Sequence, residues 1–343
     1  MDRWRIMRDV KIFVSISIPI IGDESISKLH PPVGFNYQKI PFEKYSYKNC
    51  LINGNNEVIV DFENAIHETD NVRYVITLEL EEVVSANYNS LAIEERFLDH
   101  EVLQEIYNST KERYEKELHQ YFSLIHMYKE GEVARKFSFY SFKTQEGCFK
   151  KTSLVITNNV DMVTLILHPM IIAQEEMDCM NSFLALDFPV YSLLKEVLFD
   201  DLEYTYHVLD NTTNFKNLVT VLEVLFLRGD NGSKKEMLAK RIALLLESDD
   251  SGIISTYNKV KRIYVDRSDA VHDGICTNIS RGALDDLRNL IRIIGRKYIS
   301  YIQRLLQSAP NMTFQEAKDK LVDDLMNKVA KKNSEGIFLE SNS

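Results

Sequence analysis

The pattern of apolar and polar positions changes character about halfway along the chain. In the first half, short segments alternate between β-branched and polar residues, as in Lys11–Ile18, where serines separate Val14, Ile16 and Ile18. Alternation with a period of two is typical of strands that bury one face. Similar segments, separated by clusters of glycine, proline and asparagine, lie at Glu57–Phe62, Asn71–Leu80, Arg135–Phe142, Thr152–Thr157 and Met162–Leu167. The pattern predicts an antiparallel sheet.

Apolar residues recur at helical spacing in two other parts of the chain. One segment, from about Ile93 to Tyr128, interrupts the strand-like region. The others follow one another after Asp187: Tyr191–Val208, Asn214–Arg228, Lys234–Glu247, Thr256–His272, Ser280–Gln307 and Thr313–Lys331. Short polar connections between helices of this length indicate an antiparallel bundle. The predicted fold class is α+β, with a β-rich domain over residues 1–187, an all-α bundle over 188–332 and a disordered tail over 333–343.

Composition narrows the class of protein. A hydrophobic content of 45% with 27% charged residues is typical of a globular protein. The four cysteines are scattered and form no C-x-x-C pair, so neither a disulfide framework nor a zinc site is expected, and no motif calls for another metal or a cofactor. No apolar run approaches the roughly 20 residues that a membrane-spanning helix needs. The N-terminal apolar segment has the outline of a signal peptide, but its alternation favours a strand, and the cytoplasm is the expected location.

Charge is distributed unevenly along the chain. The net charge of −10 argues against a general nucleic-acid coat. Between Thr256 and Lys332, however, 15 basic residues outnumber 9 acidic ones. This asymmetry suits an anionic ligand bound by the C-terminal part of the chain.

Two charged residues lie where helices should be apolar. Glu223 is the only charged residue in the run Leu218–Leu227, and Arg267 falls near the centre of an apolar stripe on the segment that ends at His272. A buried charge requires a partner, so the two residues are expected to pair. The pair would either clamp two core helices together or position the arginine for function.

His272 follows Arg267 by five positions, shortly before Gly274, a usual sign that a helix has ended. A permanent cation and a titratable imidazole suit phosphate chemistry, in which the imidazole transfers protons and the guanidinium stabilises charge. In an ideal helix, positions five apart point about 140° away from each other and lie roughly 7.5 Å apart along the axis. Either the last turn distorts, or two chains contribute to one site.

The segment Ile263–Gly274 resembles the signature of HEPN domains, and of their ApeA-like branch in particular. Arg267, four intervening residues and His272 fit the family's spacing, within a pattern Tyr-x-x-Arg-Ser-x-x-Val-His-x-Gly. Two helical runs, Leu222–Leu227 and Arg241–Leu246, precede the motif in the expected order. The resemblance covers about residues 190 to 307.

The resemblance implies a metal-independent endoribonuclease whose catalytic residues are Arg267 and His272. Attack of the ribose 2′-oxygen on the adjacent phosphate would leave a 2′,3′-cyclic phosphate. Family members of this kind pair into homodimers with a composite site, and many serve as toxins or anti-phage effectors, so the N-terminal domain would sense a trigger or restrain the nuclease. Glu223, Ser268 and Asp269 would support the site, although Ser268 replaces the asparagine, aspartate or histidine that often follows the arginine. The alternatives are a non-catalytic HEPN module that binds RNA, a nucleotide or a partner protein, and a purely structural dimerisation role.

Four arginines of the next predicted helix fall within about 80° of one another when seen down the helix axis: Arg281, Arg288, Arg292 and Arg296. They would either follow an RNA backbone or form a solvated face with local salt bridges.

Overall fold

The chain forms two compact units in the structure, which is a computed structural model. The structure describes residues 5–39, 72–89, 100–131, 133–135, 137–145, 149–156, 170–186, 188–206, 210–228, 232–272 and 279–338. The first unit, called the sheet unit, comprises Met1–Ile125 and Gly131–Leu184; the second, called the helical unit, comprises His126–Glu130 and Ala185–Ser343. The sequence placed the domain boundary between residues 187 and 188. The predicted fold class is confirmed, because an antiparallel sheet is followed by a mostly helical region.

Within the sheet unit, the described strands form one antiparallel sheet. They are β1 (Arg5–Ile21), β2 (Asn36–Lys39), β3 (Val72–Asn89), β4 (Ala134–Arg135), β5 (Phe137–Thr144) and β6 (Lys150–Ile156). Their order is β2-β3-β1-β5-β6, and β4 pairs with the end of β1. The predicted strands at Glu57–Phe62 and Met162–Leu167 lie outside the described residues.

β1 occupies the middle of the sheet. It pairs with β3 along nearly its whole length, from Arg5 opposite Asn89, and with β5 from Ile12 opposite Thr144. Its even-numbered side chains from Val10 to Ile20 are at most 4% exposed, and these are Val10, Ile12, Val14, Ile16, Ile18 and Ile20. The strand predicted from alternation is confirmed and is longer than expected.

A long helix, α1 (His100–Tyr128), packs its residues up to Ile125 against the sheet. The Tyr107 ring meets Phe142 of β5 edge-on, with 5.8 Å between the ring centroids. Arg135 is 2% exposed and donates to Glu115 of α1 at 3.0 Å. The sheet unit also contains a short helix, α2 (Met177–Leu184).

The helical unit contains α3 (Phe188–Leu194), α4 (Asp201–Tyr204), α5 (Asn211–Phe226), α6 (Lys234–Leu246), α7 (Asp250–His272), α8 (Arg281–Ser308) and α9 (Phe314–Ser334). A π-helical stretch, Lys195–Asp200, separates α3 from α4. The helix predicted over Tyr191–Val208 is therefore present as far as Tyr204, but with a π-helical stretch that the sequence did not predict; residues 207–208 lie outside the described part. Side chains accept backbone hydrogen bonds at several helix starts, as at the capping box of Thr313 and Glu316.

α8 lies at the centre of the helical unit and contacts α5, α6 and α9. On its inner face, Leu287, Ile294 and Tyr298 are fully buried. Gly295 lets α8 approach its neighbours closely, because a Cβ atom there would lie 3.0 Å from the sulfur of Met127.

The predicted disordered tail begins inside α9. Ser334 ends this helix, and Phe338 is 5% exposed with its ring centroid 5.2 Å from that of Tyr257. The expectation of disorder is wrong for residues 333–338, because an aromatic anchor holds them; residues 339–343 lie outside the described part. Among the described helices, none combines the length and hydrophobicity needed to cross a membrane.

Candidate functional site

α5 and α7 bring together the two charged residues that the sequence predicts to pair. The apolar face of α5 buries Val219, Leu222 and Phe226 completely and packs the helix against its neighbours, including α7. Glu223 lies beside this face, and its Oε2 atom is 3.5 Å from Nη2 of Arg267 on α7. The predicted pairing is present in the structure.

The pair leaves hydrogen-bonding capacity unused. A separation of 3.5 Å is at the outer limit of a hydrogen bond. Among the described residues, Nε of Arg267 and Oε1 of Glu223 have no hydrogen-bond partner, although both atoms are buried. Buried polar groups are nearly always bonded, so an unbonded donor of this kind needs an explanation. A guanidinium that keeps a free N–H can bind a further acceptor, such as a phosphate oxygen.

Tyr264 completes the cluster from one turn before Arg267. The guanidinium carbon lies 5.7 Å from the centroid of the Tyr264 ring. Burial raises the pKa of Tyr264, and the neighbouring Glu223 carboxylate raises it further, while Arg267 lowers it. The phenol therefore keeps its proton at neutral pH.

The cluster lies where α7 emerges from the core. Tyr257 and Val260, in the first half of the helix, are at most 2% exposed, whereas Val265 is 39% exposed. The side chain of Arg267 is 26% exposed and that of Glu223 is 17% exposed. The arginine is therefore half-buried and open to solvent on one side, and the sequence-based expectation of a packed surface around it holds only for the first half of α7.

The second predicted catalytic residue, His272, is the last residue of α7. The backbone stays α-helical from Arg267 to His272, so the alternative in which the last turn distorts is not what the backbone adopts. Ser268 is half-buried. The side chains of Asp269 and His272 lie outside the described residues, and their predicted roles stay predictions.

The arginines of α8 correct the prediction of an RNA-binding or solvated face. Arg288 is 7% exposed and Arg292 is 3% exposed. Arg288 donates to the hydroxyl of Thr205 at 3.0 Å and to its carbonyl oxygen, and its guanidinium lies 4.2 Å from the Tyr206 ring centroid. Both arginines are committed to internal contacts and leave no surface for a phosphate backbone.

Arg292 donates from Nε to the carbonyl oxygen of His126 at 2.9 Å, and from its terminal nitrogens to Asn289 and the Tyr206 hydroxyl. Arg296 is half-buried and donates to the carbonyl oxygen of Tyr128. These contacts satisfy carbonyl groups at the end of a helix, where the main chain has no partner of its own. Of the four arginines, Arg281 is the exposed one, at the first position of α8.

The helical unit also contains a buried histidine and glutamate that the sequence did not single out. His126 is 4% exposed and Glu203 is 3% exposed, with 3.7 Å between Nδ1 and Oε1. His126 lies within the largely apolar run Tyr121–Tyr128, so the reasoning that called for a partner for Glu223 would have singled it out. Glu203 follows Asp200 and Asp201 closely, and its burial has no such local signal in the sequence.

No protein-family model matches this chain, and neither the curated proteins nor the solved structures include a match to it.

Proposed function

We propose that the helical unit is a HEPN-type, metal-independent endoribonuclease with Arg267 and His272 as its catalytic residues. The observation that supports this proposal best is that Arg267 is partly exposed and has an unused hydrogen-bond donor. The guanidinium is held by Glu223, is open to solvent on one side and keeps a donor without a partner among the described residues. A permanent cation with an unused N–H is suited to a phosphodiester that is present only during turnover.

The reaction requires two proton transfers and stabilisation of one developing charge. The ribose 2′-oxygen attacks the adjacent phosphorus while its proton passes to a base, and the bond from phosphorus to the 5′-oxygen breaks. The leaving oxygen takes up a proton, and the products are a 2′,3′-cyclic phosphate and a 5′-hydroxyl. His272 would transfer the protons, and Arg267 would stabilise charge on the phosphate oxygens. A supporting role for Ser268 and Asp269 belongs to the same proposal.

A composite site fits the helix geometry better than a site within one chain. Positions five apart in a regular helix point about 140° away from each other, and the backbone is regular over this interval. Two copies of the chain that pack through α7 would let the arginine of one meet the histidine of the other. Val224 and Val265, which are 42% and 39% exposed, are apolar residues beside the pair that such a contact would cover.

The first experiment incubates labelled RNA with the full chain in buffer that contains EDTA. The wild type is expected to cleave RNA and leave cyclic phosphate ends, and Arg267→Ala and His272→Ala are expected to lose activity by about 10²- to 10³-fold. Arg262→Ala is the matched control, because Arg262 is an exposed arginine on the same helix. Its activity is expected to remain within about twofold of the wild type. Equal cleavage by all four proteins would refute the assignment.

A mixing experiment tests the composite site. If Arg267 and His272 act across a dimer, mixing the two inactive variants creates one intact site in each mixed dimer, and activity returns. If both residues act within one chain, no mixture regains activity. The mass of the wild type in solution, measured by light scattering, must also be that of two chains.

The second candidate function is a non-catalytic HEPN module that binds RNA, a nucleotide or a partner protein through the same surface. Ser268 favours it, because many catalytic relatives carry a different residue at this position. Binding of RNA without cleavage, lost in Arg267→Ala and kept in Arg262→Ala, would support the module over the enzyme. A role as a toxin or anti-phage effector under control of the sheet unit follows by family analogy alone.

A further inference from the structure

The face of the sheet that lies opposite α1 contains a small cleft. Phe142 of β5 contacts α1, and successive side chains of a strand point to opposite faces, so Lys143 and its partner on β1, Phe13, face away from the helix. The cleft has a volume of about 320 Å³ and extends over three neighbouring strands, β3, β1 and β5. This volume is at the lower end of the roughly 300–1,000 Å³ that is usual for small-molecule sites. The side chains that give the cleft its chemical character are Phe13, Ser15, Glu79, Glu81, Ser141 and Lys143.

The strand register separates two opposite charges across the cleft. Phe13 of β1 lies directly between Glu81 of β3 and Lys143 of β5. Since neighbouring strands are about 4.8 Å apart, the Cα atoms of the two charged residues are roughly 10 Å apart. The carboxylate of Glu81 pairs instead with Lys11 at 3.0 Å, and Nζ of Lys143 lies 5.3 Å from the centroid of the Phe13 ring. Lys143 therefore has no carboxylate partner among the described residues.

The next row of the register supplies a second carboxylate and two hydroxyl groups. Ser15 lies between Glu79 of β3 and Ser141 of β5. Ser141 is 6% exposed, Ser15 is half-buried and Glu79 is exposed. Among the described residues, none of these three side chains forms a hydrogen bond or an ion pair. Within the described part of the chain, the cleft thus combines a carboxylate on β3 and an ammonium group on β5, neither of them neutralised, with two unused hydroxyls.

This distribution of charge favours a ligand that carries both signs. An anionic ligand such as a nucleotide would be attracted by Lys143 and repelled by Glu79, and a simple cation would meet the reverse. A zwitterion lets each of the two groups meet its opposite charge. The serine hydroxyls can donate to a carboxylate, since an O–H is a donor as well as an acceptor. The lining is therefore complementary to a small molecule with one ammonium and one carboxylate group.

We propose that the cleft binds a free α-amino acid. An α-amino acid carries both groups within a few bonds, and a cleft of about 320 Å³ can hold it. The ammonium group of the amino acid donates to Glu79. Its carboxylate accepts hydrogen bonds from Lys143 and from the hydroxyls of Ser15 and Ser141, and its side chain packs on the ring of Phe13. The site belongs to the sheet unit and does not rest on the nuclease proposal.

The first test measures binding of free amino acids to the full chain. Each of the twenty L-amino acids is screened by thermal shift, and those that raise the melting temperature are titrated into the protein in a calorimeter. We expect at least one of them to bind, with one molecule per chain and a dissociation constant between about 1 μM and 1 mM. Absence of binding below about 10 mM for all twenty overturns the proposal.

The second test asks whether both charges of the amino acid are needed. The amino acid that binds most tightly is compared with its N-acetyl derivative, which lacks the ammonium group, and with its carboxamide, which lacks the carboxylate. Each derivative is expected to bind at least about tenfold more weakly, because it loses a charge-assisted hydrogen bond. A derivative that binds as tightly as the free amino acid overturns the assignment of a zwitterion.

Substitutions locate the binding site. Lys143→Gln and Glu79→Gln are each expected to weaken binding at least about tenfold. The matched controls are Lys116→Gln and Glu105→Gln, which remove exposed charges from α1, across the sheet from the cleft, and are expected to bind within about twofold of the wild type. Unchanged affinity in Lys143→Gln, or an equal loss in the controls, overturns the proposal. Circular dichroism checks the fold, and if Lys143→Gln does not fold, the exposed Glu79→Gln decides the outcome.

Discussion

The arginines of α7 and α8 belong to the same helical unit and differ in what surrounds them. Arg292 is 3% exposed and donates to a main-chain carbonyl, an amide and a phenol. Arg267 is 26% exposed, meets a carboxylate at 3.5 Å and keeps an unbonded Nε. Each nitrogen of the Arg292 guanidinium donates a hydrogen bond, whereas Nε of Arg267 does not. Unused hydrogen-bonding capacity, rather than burial, is therefore what distinguishes Arg267, the arginine of the proposed site, from Arg292.

The largest loss of stability is expected for Arg292→Ala, which tests whether the buried contacts of Arg292 stabilise the fold. The substitution leaves the carbonyl of His126 and the hydroxyl of Tyr206 without their donor, in a buried space that the side chain had filled. Removal of one partner from a buried charged network costs about 3–5 kcal/mol in the free energy of unfolding. Urea titration followed by circular dichroism measures it. The exposed Arg304→Ala is the control, expected within about 0.5 kcal/mol of the wild type.

Arg288→Lys is expected to have the next largest effect. Lysine keeps the charge but loses the planar fork that reaches both Thr205 and Asp285, together with the stacking on Tyr206 at 4.2 Å. We expect a loss of about 2 kcal/mol in the free energy of unfolding. Stability equal to that of the wild type would mean that charge alone is required at this position, and the contrast with Arg267 would fail.

Glu236 of α6 forms a network with Tyr257 and Lys261 in the first half of α7, and this network responds to pH. Burial alone would raise the pKa of Glu236, but hydrogen bonds from Tyr257 and Lys261 lower it below the ordinary value of 4.5. A lowered pKa in the folded state contributes stability that is present above the unfolded pKa and is lost as the pH falls through the folded value. Glu236→Gln should therefore cost about 1 kcal/mol at pH 7, allowing for its partial exposure, and the difference from the wild type should vanish in acid. The free energy of unfolding of both proteins, measured across this pH range, tests the prediction. A difference in stability that persists below the pKa of Glu236 in the folded state would contradict it.

The smallest change in stability is expected for Glu223→Gln. The pair with Arg267 is long and partly exposed, so its loss should change the free energy of unfolding by less than about 1 kcal/mol. If Glu223 positions the arginine, kcat for RNA cleavage falls about tenfold while KM stays the same, because the orientation of the catalytic group is affected and not RNA binding. A large loss of stability with unchanged kcat would instead identify a structural clamp.

The sequence correctly predicted the elements whose hydrophobic periodicity is contained within one segment of the chain. Strand β1 followed from its alternation, and α5 to α9 followed from helical spacing, because one buried face imposes each period. The contact between Glu223 and Arg267 was also predictable, since a charged residue within an apolar run must find a partner.

Other features depend on distant groups or on backbone geometry. Arg288 and Arg292 were expected on a solvated or RNA-binding face. Periodicity shows which residues share a helix face, but it cannot show whether that face meets water or the carbonyl groups of another segment. The acceptor of Arg292 is His126, which lies 166 positions earlier in the chain. The π-helical stretch Lys195–Asp200 was missed because its apolar spacing also fits an ordinary helix.

The central position of β1 has a consequence for the order in which the chain folds. β1 pairs on one side with Val72–Asn89 and on the other with Phe137–Thr144. Ile12 therefore cannot complete its pairing until Thr144 has been synthesised. Pairings between such distant positions form slowly. During translation, one edge of β1 therefore remains unpaired until β5 has left the ribosome, and chaperones would have most to protect in this interval.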